Sequence, residues 1–353
     1  MALSVDIQKR LGNFELQVKF ETAEGMLAIL GASGCGKSMT LKCIAGIETP
    51  DRGRIVLDDV VLFDSEKHIN LKPQNRKVGY LFQQYALFPN MTALQNVMCG
   101  VREGSRQEKR QKALAIIDRL HLNGCENKKP SMLSGGQQQR CALARILVNE
   151  PHVLLLDEPF SALDAHLRFH TERQVENIIN DFGKTVLFVS HDRDEVFRLT
   201  DKIAVMENGH LKTMGEKHEV FKDPSTIGGA ILMGCKNISD AEILSPNRVF
   251  AKDWGIELSV GEIPEDFRGV GIRMHDVKLL RHNGDHQASA ENAFHCKVIG
   301  EIENPFSCSI MLRPDGKAGE RYILVDLNKE RWNEIRSEYL DVCLPSEKIL
   351  LLK

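Results

Sequence analysis

Hydrophobic and polar positions follow two periods along this chain. Over residues 3–30 the stretches LSVDIQ, FELQVKF and MLAIL alternate or run apolar in short pieces, which predicts three strands. MLAIL leads directly into GASGCGKS and then into a helical stretch, MTLKCIAGI. RGRIVLDDVVLF predicts a hairpin that returns near Asp58–Asp59, and KVGYLFQ a short buried strand. From Ala93 to Asn149 the spacing is mostly helical, most clearly in QEKRQKALAIIDRLHL. HVLLLDEP and KTVLFVSH are apolar strands with polar tips, and LRFHTERQVENIINDFG between them predicts a helix closed by Gly183. DRDEVFRLT reads as a helix. DKIAVMENGHLKTMG reads as two strands about a turn at Asn208–Gly209.

Buried strands alternating with helices predict an α/β unit with a parallel-sheet core. A helical insert at about 88–150 interrupts it, and EVFKDPS near residue 220 is expected to be its last helix. Beyond about residue 236 short strand-like runs take over: RVFAKDW, IELSVG, GVGIRM, FHCKVIG, SCSIMLR and YILVDL, broken by one helical stretch, KERWNEIRSEY. The expected division is therefore 1–235, an α/β domain, and 236–353, a small β-rich barrel or sandwich.

Composition narrows the class. A chain of 353 residues suits two domains, and 42% apolar with 27% charged residues is ordinary for a folded soluble protein. The formal net charge of −3 argues against a nucleic-acid partner, which would call for a basic excess or face. The nine cysteines form no C-x-x-C pair and read as free thiols in a reducing compartment. The first twenty residues lack signal-peptide architecture, and no run of eighteen apolar residues, the length a bilayer span calls for, occurs in the sequence.

The chemistry concentrates at strand ends. Gly31–Ser38 fits G-x-x-x-x-G-K-[ST] in the context the motif needs, a strand before and a helix after. Gly31, Gly34 and Gly36 let the backbone N–H groups of the loop, with those of Ser33, Cys35 and Met39, curl around nucleotide phosphates. Lys37 supplies charge for the β- and γ-phosphates, and Ser38 offers a hydroxyl to Mg²⁺ at a helix N-terminus. Asp157, ending an apolar strand, is a carboxylate for Mg²⁺, and Glu158 beside it is placed to orient an attacking water. His191 and Gln83 also end predicted strands, where α/β sheets bind ligands. They are candidates for the γ-phosphate and for Mg²⁺ or the lytic water, respectively.

A second anion device follows in LSGGQQQR. Ser134, with the N–H groups of Gly135, Gly136 and Gln137, opens a predicted helix on the insert, apart from the sheet that carries Lys37. The simplest geometry has this device serve a nucleotide held by a second copy, in a head-to-tail homodimer.

GASGCGKS, LFQQ, LSGGQQQR, LLLDEPFSALD and SHD occur in the order and spacing of the ATP-binding cassette (ABC) ATPases, which residues 1–235 closely resemble. The resemblance implies a P-loop NTPase fold with a RecA-like sheet core and a helical subdomain, ATP and Mg²⁺ as ligands, and Glu158 as the catalytic glutamate. It further implies that SALD, with Asp164, forms the D-loop at the shared site, and that Phe14 stacks on adenine. YALFPNMTALQNV resembles the segment that docks membrane permease subunits in bacterial importers. Such a subunit works at the cytoplasmic face of the membrane and is served indirectly by an extracytoplasmic solute-binding protein. The tail resembles the OB-like TOBE regulatory domain, and MGCKN and VGIRMHDV resemble segments of molybdate and sulfate importers. The expected cargo is an inorganic oxyanion (molybdate, tungstate or sulfate), with polyamine, iron or sugar as alternatives; a non-transport ABC ATPase or a small-molecule sensor is a more distant reading.

Overall fold

The computed structural model describes residues 2–161, 163, 165–280, 291–317 and 319–353. The chain divides into two compact units, Met1–Lys217 and His218–Lys353. The break precedes the change of sequence texture at 236, so the short helices Lys217–Lys222 and Ile227–Leu232 fall at or beyond it.

The first unit runs β1 (Leu3–Leu11), β2 (Phe14–Thr22), β3 (Gly25–Leu30), α1 (Lys37–Ala45), β4 (Arg52–Leu57), β5 (Val60–Asp64), β6 (Ile69–Asn70) and β7 (Val78–Leu81). It continues with α2 (Ala93–Met98), α3 (Arg106–Arg119), α4 (Gly135–Leu147), β8 (Val153–Asp157), α5 (Ala165–Phe182), β9 (Thr185–Ser190), α6 (Arg193–Leu199), β10 (Lys202–Glu207) and β11 (His210–Glu216). All eleven strands form one sheet in the order β6-β5-β4-β1-β2-β11-β10-β3-β9-β8-β7. Strands β10, β3, β9, β8 and β7 are parallel, as expected of the core. Strands β1, β2, β4, β5 and β6 add an antiparallel arm that periodicity alone does not distinguish from a separate sheet. Strands β8 and β9 are buried at every position, which explains why their sequences are apolar without alternation.

Two hairpins carry turn chemistry legible in the sequence. Asp58 and Asp59 have φ of 45° and 67°, and Asn208 and Gly209 have 47° and 83°, so both pairs take the left-handed conformation that tight two-residue hairpin turns require. Gly209 is needed for a second reason. A Cβ there would lie 1.9 Å from the Glu15 carbonyl oxygen, because the turn packs against the start of β2.

The order β3-β9-β8-β7 fixes the site. Gly31 follows β3, His191 follows β9, Asp157 closes β8 and Gln83 lies two residues past β7. Four predicted site positions therefore stand side by side along the carboxyl edge of the parallel strands, where such sheets bind ligands. The helix behind the loop is held at its far end. Buried Arg76 donates from Nη1 to the carbonyls of Cys43 and Ile44, both at 2.9 Å, at the C-terminus of α1. Its Nε reaches the Leu71 carbonyl at 2.8 Å.

Among the described residues the strands of the second unit are all antiparallel and form two five-stranded sheets. Two asparagine side chains stitch the sheets together by imitating a strand. Buried Asn237 donates to the Leu324 carbonyl (2.8 Å) and accepts from the Leu324 N–H (2.7 Å). Asn292 makes the same pair of bonds with Ser259, at 2.8 and 2.7 Å. The helical stretch expected at KERWNEIRSEY spans only Lys329–Ile335; its end becomes the strand Tyr339–Cys343.

Candidate nucleotide site

The Gly31–Ser38 loop closes on its own lysine. Lys37 is 4% exposed, and its Nζ donates to the carbonyls of Gly31 (2.7 Å) and Ala32 (3.0 Å). Gly34 and Gly36 have φ of 80° and 110°, backbone that side chains rarely adopt. A Cβ on Gly36 would also meet Leu16 Cδ1 at 2.7 Å and the Phe14 ring at 3.2 Å. Phe14 therefore lies against the loop, half-buried, rather than free on a strand. Burial pushes the Cys35 thiol up, against the opposing pull of Lys37, so Cys35 fills space as a neutral group. Ser33 is exposed on the loop, and Met39 packs against the core from α1.

Ser38 Oγ donates to Asp157 Oδ1 at 2.7 Å. Asp157 Oδ2 accepts a second bond, from the Tyr80 hydroxyl, also at 2.7 Å. Burial, and then the bond to Asp157, push the Tyr80 phenol up, which keeps it a proton-bearing donor. Asp157 is 6% exposed, and no Lys, Arg or His pairs with it among the described residues. A hydroxyl and a carboxylate in contact, with no competing cation, are hard oxygen donors that fit Mg²⁺. No group of three His, Cys, Asp or Glu side chains forms a cage among the described residues. Mg²⁺ needs none, since it is held by one or two protein oxygens together with phosphates and water.

Glu158 forms a second cluster. Its φ is 45°, an uncommon conformation for a side chain of this size, costing about 1 kcal/mol. The turn is held by its N–H on the Val189 carbonyl (3.0 Å) and by the Ser161 hydroxyl on its carbonyl (2.8 Å). The result aims Glu158 at the end of β9. Its Oε2 lies 3.2 Å from His191 Nδ1 and accepts from Gln83 Nε2 at 3.4 Å. Glu158, His191 and Gln83 are brought together, and Gln83 reaches Glu158 rather than the Ser38–Asp157 pair.

Ser134 stands elsewhere, as the N-cap of α4. Its hydroxyl accepts from the Gln137 N–H (3.4 Å), and its own N–H donates to Gln137 Oε1 (3.0 Å). Ser134 is exposed. A Cβ on Gly135 would lie 2.9 Å from Leu163, and one on Gly136 3.1 Å from Thr171 Oγ1, so both glycines permit close packing. Asp164 lies outside the described residues.

Two connections escaped the sequence reading. The Tyr85 hydroxyl donates to the Pro159 carbonyl at 3.1 Å, one residue past Glu158. Arg145 on α4 donates to the carbonyls of Ala86 (2.8 Å) and Tyr85 (3.1 Å) and lies over the Phe88 ring. The segment after Gln83 is thus bonded both to the Glu158 turn and to the helix that begins at Ser134. Tyr85 opens the YALFPNMTALQNV stretch and Arg145 lies beyond LSGGQQQR, yet nothing in either stretch says which carbonyl each side chain reaches.

The family described as ABC transporter matches residues 15–161. The chain is 40% identical over 237 residues to the spermidine/putrescine import ATP-binding protein PotA of Bacillus cereus, covering 66% of this chain and 71% of that one. It is 36% identical over 284 residues to the sulfate/thiosulfate import ATP-binding protein CysA 2 of Rhizobium meliloti, covering 78% and 76%. Among solved structures, the ATP-binding cassette MJ0796, as a dimer in a post-hydrolysis state with ADP and Pi, superposes with a TM-score of 0.51 at 29% identity, covering 62% of this chain and 99% of that one. CbiO1 from Clostridium perfringens, part of the ABC transporter complex CbiONQ, gives 0.53 at 29% identity, covering 62% and 90%.

Proposed function

This chain belongs to the ABC transporter ATP-binding proteins and is an ATP-hydrolysing importer subunit, and from that premise we propose how its residues divide the work. Lys37 leaves the Gly31 and Ala32 carbonyls for the β- and γ-phosphates. Phe14, lying against Gly36, offers its ring to the base. Ser38 and Asp157 hold Mg²⁺, which when bound neutralises charge on the phosphates. Glu158 orients a water and accepts its proton as the water oxygen bonds to the γ-phosphorus and the β–γ bridging P–O bond breaks. His191 donates to the γ-phosphate, and Gln83 fixes Glu158 between them.

The observation that carries this reading is the convergence of Gln83 and His191 on one oxygen of Glu158. Ser134, Gly135, Gly136 and Gln137 approach the γ-phosphate held by a second copy, in a head-to-tail pair. The dimeric MJ0796 structure supports pairing. Loss of the γ-phosphate on hydrolysis would then release the pair, and the segment after Gln83 would carry that motion to membrane permease subunits. Among the described residues no helix is long and apolar enough to cross a membrane, which fits a subunit held at the cytoplasmic face by such partners.

The cargo we favour is an inorganic oxyanion, sulfate or molybdate, delivered by an extracytoplasmic binding protein. The match to the sulfate/thiosulfate protein extends over more of this chain than the match to the polyamine protein. The higher identity of the polyamine protein makes spermidine the second reading. In proteoliposomes with the permease, oxyanion-loaded binding protein should stimulate hydrolysis, and Glu158→Gln should cut it about 100-fold or more while ATP still binds. Stimulation by spermidine would replace the cargo; normal turnover in the variant would remove the role of Glu158.

A further inference from the structure

Asp157 is pinned on both oxygens, and only one of the two pins belongs to a recognised motif. Oδ1 takes the Ser38 hydroxyl and Oδ2 takes the Tyr80 hydroxyl, each at 2.7 Å. The second contact follows from strand register. Tyr80 pairs with Leu155 across β7 and β8, and Asp157 lies two residues beyond Leu155, on the same face. The phenol is itself fixed in place, since its ring packs at 4.5 Å between centroids against Phe82.

We propose that Tyr80 is a positioning residue for the Mg²⁺-holding carboxylate: its O–H fixes the rotation of Asp157 so that Oδ1 stays beside Ser38. A carboxylate with one hydrogen bond can turn about its Cβ–Cγ bond. With donors on opposite oxygens it presents one orientation, and the orientation need not be selected when the metal arrives. The chemistry of the donor matters as much as its place. A lysine or arginine here would neutralise the charge that attracts Mg²⁺, whereas a phenol orients the carboxylate and leaves its charge intact. The bond also gives the buried Asp157 side chain a neutral hydrogen-bond donor.

This proposal rests on the reading of Ser38 and Asp157 as the Mg²⁺ site, and the test separates the two. Binding of a fluorescent, non-hydrolysable ATP analogue to the full chain is measured in EDTA and across a Mg²⁺ titration, for wild type and Tyr80→Phe. Phenylalanine keeps the ring and removes only the hydroxyl. The expected result is unchanged affinity in EDTA, which also shows that the variant is folded, together with a Mg²⁺ midpoint raised about tenfold. A midpoint equal to that of wild type would overturn the role of Tyr80 alone. So would an equal loss of affinity with and without Mg²⁺, the mark of a purely structural hydroxyl. A wild-type chain indifferent to Mg²⁺ would remove the metal reading and this proposal with it.

Discussion

Gln139 sits in the helix that Ser134 caps, wholly buried, and neither atom of its side-chain amide has a hydrogen-bond partner among the described residues. A buried amide left unpaired costs about 1–3 kcal/mol, while an apolar side chain of the same length costs nothing of the kind. Gln139→Met should therefore stabilise the chain by about 1 kcal/mol, raising the melting temperature by roughly 2–4 °C. A lower melting temperature would mean that the amide is paired in solution. Single residues are also where the sequence was most and least informative. Lys37, Ser38, Asp157 and Glu158 announce themselves, because phosphate and metal chemistry demands those groups at fixed spacing beside a strand. Tyr80 does not. Its role depends on which strand lies next to β8, and nothing within KVGYLFQ specifies that neighbour.

At the scale of elements, local chemistry was legible and long-range pairing was not. The Asp58–Asp59 and Asn208–Gly209 turns could be located because a two-residue hairpin needs left-handed backbone at both positions. The capping box of α4 is written in Ser134 and Gln137. By contrast, the neighbours β2 and β11 are far apart in sequence and pair at His210 and Gln17, beside the turn packed on Glu15. Arg76 shows the same limit. Within PQNRKVG it looks like a surface cation, yet it is 1% exposed and closes the C-terminus of α1, the helix whose N-terminus faces the phosphate loop. There its charge also opposes the negative end of the helix dipole. Arg76→Met would take the guanidinium from the carbonyls of Ile44 and Leu71 and leave the Cys43 carbonyl with the Gly46 N–H alone, in a buried setting. The expected loss is about 3 kcal/mol or more by chemical denaturation. A loss below about 0.5 kcal/mol, the range of surface substitutions, would mean that those carbonyls find water instead.

At the scale of the whole molecule, the question is whether one nucleotide site needs two chains. Ser134 allows a clean test because its capping role and its proposed phosphate role are separable. As an N-cap it needs an oxygen acceptor for the Gln137 N–H, and aspartate serves as well as serine. As a contact to a partner's γ-phosphate it must not carry negative charge. Ser134→Asp should therefore fold normally and, as a single chain, bind ATP with wild-type affinity, because its own Lys37 loop is intact. Two such chains should fail to close, and hydrolysis should fall about 100-fold or more, since like charges would meet in a site that excludes water. Lys37→Ala should be silent for the opposite reason, because it removes from its own loop the cation proposed to meet the phosphates. Mixed together, the two silent chains form pairs in which one site joins the intact loop of the first to the intact Ser134 of the second. The other site of the same pair carries both defects. Single-turnover phosphate release should reappear on mixing if each site is built from two chains. If Ser134 served the nucleotide of its own chain, every site in the mixture would carry a defect, and no combination of the two variants would release phosphate.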